Sequence, residues 1–146
     1  PRLARALVQH IVGDPPAGGR LIDYMIHHGK AMYIVGKLLP RTSQQLLMGY
    51  TREQMDGCLA NERESWARLL DQNLLYSTDY RKFQKLISPS PNAPILFDEA
   101  PGEIGIWIGW RIVQAWAKRH PDADMRQLLE QRDSQKLLRA SRYQPR

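Results

Sequence analysis

Long apolar runs are missing from this 146-residue chain. No stretch approaches the roughly 20 residues needed to cross a bilayer, which excludes a spanning helix. Cysteine is nearly absent: Cys58 stands alone, so no intramolecular disulfide can form. Motifs of common catalysts are lacking as well. There is no His-Glu-x-x-His for a zinc peptidase, no Gly-x-Ser-x-Gly elbow and no phosphate loop ending in Gly-Lys-Ser/Thr. Basic runs never exceed two residues, which argues against a dedicated polybasic tail.

What is present suits an ordinary folded protein. Hydrophobic residues make up 42% and charged residues 25%, and four Trp and six Tyr supply surface to bury. The net charge of +6 is unevenly spread. Residues 1–50 and 101–146 each carry +4, while residues 51–100 carry −2. Such a surplus suits either a solvated basic surface or an acidic partner, anionic lipid or nucleic acid. The chain opens on Pro1 with no visible signal peptide, so we expect a removed leader or a longer parent protein.

Apolar spacing predicts helices and no strong strand. A short helix is expected over Leu3–Val12, with Leu3, Leu7, Ile11 or Val8 inward. Breakers at 13–19 end it. A long helix should run from about Arg20 to Leu39, crossed by Gly29 and Gly36 and stopped by Pro40. Each glycine costs about 1 kcal/mol relative to Ala, which suggests a bend or a close helix contact. One helix is predicted over Thr51–Leu70, opened by a Thr51/Gln54 capping box. Met55, Leu59, Trp66, Leu69 and Leu70 form its apolar stripe, and Glu62 falls on that stripe. Ser77-Thr78-Asp79 should cap a helix to about Ile87. An irregular proline-rich loop follows at 88–100, and Pro101 reads as a first-turn proline. The helix over Gly102–His120 is apolar nearly all round, which marks the centre of the domain. Gly105 and Gly109 share one face of it, where another backbone can approach. Two short helices, Asp124–Gln131 and Ser134–Ala140, close the chain.

Few residues offer chemistry. His27 and His28 are adjacent, so a helix points them about 100° apart and they cannot chelate one ion together. His10 and His120 have no carboxylate at ligand spacing. Cys58 lies beside Met55 and reads as a small core residue. Trp107, Trp110 and Trp116 around Arg111 could stack on bases or sugars, but helical spacing spreads them over several neighbours, as in a core helix. Glu62 is either a general base or the buried partner of Lys30 or Arg111.

A series of short motifs then gives a resemblance. It begins with Met25-Ile26, Gly29-Lys30, Tyr33, Leu39-Pro40 and Gly49-Tyr50-Thr51. It continues through Asn61-Glu62, Trp66 and Leu74-Leu75-Tyr76-Ser77-Thr78-Asp79. It is densest over Pro101-Gly102, Gly105 and Ile108-Gly109-Trp110-Arg111-Ile112-Val113, and closes on Lys136-Leu137, Ser141 and Tyr143. In this order and spacing the chain resembles the C-terminal part of the gliding-motility lipoprotein GldB family of Bacteroidota.

The resemblance implies an envelope protein that is lipid-anchored upstream of this chain and works with other motility or type IX secretion proteins. It also implies a distant relation to zincin-like predicted peptidases. Those relatives carry an HExxH helix upstream and a Glu-Gly pair, and this chain has His28-Gly29 at the matching place. The expectation is therefore one all-α, compact multi-helix domain over 1–146, similar to the helical C-terminal half of a zincin-like fold. It would be non-catalytic, bind protein, and need no cofactor, metal or nucleic acid. Gly29, Lys30, Tyr33, Glu62, Trp66, Thr78, Asp79, Gly105, Gly109, Trp110 and Arg111 are its framework and family-motif residues. The loop Ser88–Pro94 and the basic end Arg139–Arg146 are its candidate contact features. The alternatives are a fragment of a zinc peptidase with its ligands partly upstream, or a basic nucleic-acid-binding module.

Overall fold

Buried apolar side chains from every part of the chain meet in one connected core, built almost wholly from helices. The computed structural model describes residues 2–15 and 19–146, so part of the expected breaker segment, residues 16–18, lies outside the described residues. Among those described, nine helices and no strand are found. They are α1 (Arg2–Val12), α2 (Leu21–Leu38), α3 (Gln44–Met48), α4 (Arg52–Ala60), α5 (Glu62–Asp71), α6 (Tyr80–Ile87), α7 (Ile104–Arg119), α8 (Met125–Glu130) and α9 (Ser134–Ser141). The all-α expectation holds.

The central pair is α2 and α7. Their apolar faces bury Met25, Ile26, Ile108 and Ile112 almost completely. Small residues let the two backbones touch: a Cβ on Gly109 would lie 1.9 Å from the Met25 carbonyl oxygen. Gly105 does the same for α6, where a Cβ would meet the Leu86 carbonyl oxygen at 2.6 Å. Helix α9 packs on α7, and α1 on α2. All three tryptophans of α7 are buried, as a core helix requires.

The segment after α5 seals one end of α2. The Leu21 amide donates to the Ser77 carbonyl at 3.0 Å, and the Ile22 amide to that of Leu75 at 2.9 Å. A helix start leaves such N–H groups without partners, so this stretch of chain substitutes for a side-chain cap. At the same end the Asp23 carboxylate accepts from the Arg20 amide at 2.9 Å.

Several local expectations need correction. The predicted helix Thr51–Leu70 is two helices, broken at Asn61, whose side-chain amide donates to the Gly57 carbonyl at 2.8 Å. An asparagine that binds its own preceding turn competes with the helix ladder. The buried face keeps helical spacing across the break, through Met55, Cys58, Glu62, Ser65 and Leu69, while Leu59 and Leu70 of the expected stripe face solvent. Of the four α1 positions expected inward, Val8 is buried, and Leu3, Leu7 and Ile11 are exposed. Helix α3, capped by the Ser43 hydroxyl, was not expected. Pro101 precedes α7 rather than opening it, because Glu103 sits in the left-handed region at φ 66° and the helix begins at Ile104.

Candidate functional site

Glu62 follows Asn61 on the inward side shared by Met55 and Cys58 of α4. As the first residue of α5 it continues that inward face as a buried carboxylate. The start of a helix also favours a negative charge. Arg111 reaches it from α7 with a two-pronged contact: Nε donates to Oε2 at 3.0 Å and a terminal guanidinium nitrogen to Oε1 at 3.1 Å. This is the strongest ion-pair geometry open to arginine. Tyr143 adds a third bond, its hydroxyl donating to Oε2 at 2.8 Å.

Tyr143 is held in place by the turn that ends α9. Arg142 adopts a left-handed conformation at φ 51°, and the Ser141 hydroxyl accepts from the Tyr143 amide at 3.0 Å. The ring of Trp66, one turn beyond Glu62, meets the Tyr143 ring edge-on at 5.0 Å. Arg111 also lies over the Trp107 ring, 5.5 Å from its centroid. Burial, with the Glu62 charge beside it, pushes the Tyr143 hydroxyl well above its ordinary range and keeps it a donor.

Of the two cations considered for Glu62, Arg111 is the partner. Lys30 turns elsewhere and donates to the Gln131 carbonyl at the junction of α8 and α9. Burial, with Arg132 nearby, lowers the Lys30 amine to about 8. The other framework residues are spread through the molecule. Gly29 faces Gly109 across the central pair, and Trp110 is buried beside Gly36. Tyr33 is half-buried under the Lys37 ammonium, 5.3 Å from its ring. Thr78 is exposed, and Asp79 caps α6 with its backbone, its carbonyl accepting from the Lys82 amide at 3.0 Å.

Two contributors were not singled out as site residues from the sequence. Tyr143 belonged to the family resemblance, but a lone aromatic in a charged tail gives no sign that it folds back onto Glu62. Tyr50, whose hydroxyl donates to the Gly102 carbonyl at 2.8 Å, pins the irregular stretch before α7.

Nucleophiles and metal ligands are poorly placed for chemistry. The Cys58 thiol is fully buried, and burial with the Glu62 charge raises it to about 12, so it remains a thiol. Burial, then His27 and Arg5, lower His28 to about 4, so its imidazole is neutral. Burial also lowers His27, whose Nε2 lies 3.0 Å from the Gly13 carbonyl oxygen. Among the described residues no three His, Cys, Asp or Glu side chains gather where they could hold a metal ion. Nor is any helix there long and apolar enough to cross a membrane.

The family model of gliding motility protein GldB matches residues 1–145. The chain belongs to this family. Membership makes it a gliding-motility-related lipoprotein domain associated with the cell envelope. No curated protein and no solved structure matches it. Arg111 and Tyr143, with Trp66 and Ser141 positioning the Tyr143 ring, lie far apart in the sequence and converge here on the Glu62 carboxylate.

Proposed function

We propose that this domain is a non-catalytic subunit of the gliding motility and type IX secretion apparatus, acting by binding other proteins of that machinery. The observation that carries the reading is the state of Glu62, the one buried carboxylate among the described residues. Of its roughly four lone-pair positions, three are taken by Arg111 and Tyr143. A general base must reach a substrate proton, and this carboxylate is committed to the protein's own donors. The raised Cys58 thiol and the scattered histidines support the same view. Gly29, Lys30, Glu62, Trp66, Gly105, Gly109, Trp110 and Arg111 then serve as framework, and the outer surface does the work. Lipid anchoring would lie outside this stretch of chain.

Two measurements test this. Cross-linking in gliding cells, followed by purification of the tagged full-length protein, should recover motility or secretion proteins above a mock control. Metal analysis of the same preparation should show no stoichiometric zinc. Stoichiometric zinc, or hydrolytic turnover that disappears in Glu62→Gln without a change in melting temperature, would overturn the non-catalytic reading.

A further inference from the structure

Above the Glu62–Arg111 pair opens a groove of about 1020 Å³ between α7 and the segment that follows α9. Arg111 lies at its base, and Lys118, Arg119, His120, Arg142 and Arg146 line the rest. Glu62 is the one acidic side chain among its described lining residues, and it is already neutralised by Arg111. Arg119 is braced across the groove, its Nε donating to the Ser141 carbonyl at 3.0 Å. Among the described residues, Lys118, Arg142 and Arg146 form no ion pair. Like charges gathered on concave walls raise the local potential, and an anion relieves it.

The chemistry favours carboxylates on a polypeptide over a lipid surface. Guanidinium forks match carboxylates two-pronged, and the groove already holds one in that geometry, Glu62. Surface binding to a membrane instead combines basic residues with apolar side chains that insert among the lipids. None of the large exposed apolar side chains, such as Leu3, Leu7, Ile11 or Leu59, lines this groove.

We propose that the groove between α7 and the chain after α9 binds an Asp/Glu-rich segment of a partner protein. The proposal rests on the protein-binding reading above and names the face and the chemistry. Carboxylates of the partner sit on Lys118, Arg142 and Arg146, with Arg119 as a braced wall.

The probe is a fluorescein-labelled peptide of alternating Glu and Gly, titrated with the full-length protein and followed by anisotropy. Binding should weaken by about tenfold or more as salt shortens the reach of the charges. Lys118→Glu combined with Arg142→Glu should weaken it by a similar factor at low salt. Arg81→Glu combined with Lys82→Glu, at exposed positions of α6, should leave it unchanged. Equal loss in both double variants would overturn the groove in favour of diffuse charge attraction. Capture by phosphatidylglycerol vesicles through Lys118 and Arg142, with no peptide binding, would overturn it in favour of a membrane surface. A protein that captures envelope partners but ignores the peptide overturns the groove and leaves the protein-binding reading standing. One that binds the peptide through the groove yet captures no envelope protein overturns that reading instead.

Discussion

Gly29 of α2 and Gly109 of α7 stand so close that a Cβ on Gly29 would lie 2.4 Å from the Gly109 carbonyl carbon. No side chain of any size fits between them. The α2 and α7 backbones therefore cross in direct contact, and Arg111, two residues beyond Gly109, is delivered to Glu62 by the same contact. Framework and candidate site form one mechanical unit.

Gly109→Ala should destabilise the protein by about 3 kcal/mol, since overpacking against rigid backbone cannot be relieved by a rotamer change. In a chain of this length that lowers the melting temperature by roughly 10 °C. Gly36→Ala is the comparison, because its Cβ would meet only the Trp110 side chain, at 3.3 Å. It should stay within about 1 kcal/mol of wild type, helped by the better helix propensity of Ala. Equal melting of the two variants in a thermal scan would contradict the crossing described.

Glu62→Ala leaves Arg111 and Tyr143 without their acceptor. The Arg111 side chain keeps 34% of its exposure, so solvent softens the loss, and about 2 kcal/mol is expected. Tyr143→Phe removes one bond and should cost about 1 kcal/mol. In urea titrations the pair Glu62→Ala with Arg111→Ala should cost less than the sum of the single variants. Strict additivity would show that the two groups are not coupled.

Acid should weaken the fold before its carboxylates titrate. His28 has a folded value of about 4 against an ordinary 6.5, so between these the unfolded chain binds more protons. Stability is complete above about 6.5 and falls as pH drops towards 4, by at most about 3 kcal/mol. Burial shifts His27 the same way and adds to the fall. His28→Gln should flatten much of this limb in urea unfolding measured across pH; an unchanged limb would place the cause elsewhere.

Alkali should act in the opposite sense through Lys30. Its folded value of about 8 lies below the ordinary 10.5, so the unfolded chain again binds more protons in that window. Stability should rise as pH climbs from about 8 towards 9. Cys58, raised to about 12 by burial, opposes it from about pH 9, and Tyr50 and Tyr143, also raised by burial, from about pH 10, where phenols ordinarily ionise. Lys30→Met should remove the rise and stabilise the protein at neutral pH. A rise that survives in Lys30→Met would disprove the assignment.

Much of this molecule was determined locally and is therefore readable from its residues. The 3.6-residue spacing over α2 and α7, the Thr51/Gln54 box and the paired glycines of α7 depend on neighbours a few positions away. They led correctly to helices, a cap and a close backbone contact. Membership of the GldB family was equally legible. Tertiary structure decided what local rules cannot rank. Asn61 could continue a helix or bind back to Gly57, and of the expected stripe folding buried Met55 and Leu69 but left Leu59 and Leu70 outside. Arg111 and Lys30 were equal candidates for the Glu62 charge until folding placed one 3.0 Å away and sent the other to Gln131. Tyr143 joined Glu62 across 81 residues of chain. Such pairings depend on which helices cross and where, and that is set by the whole core at once.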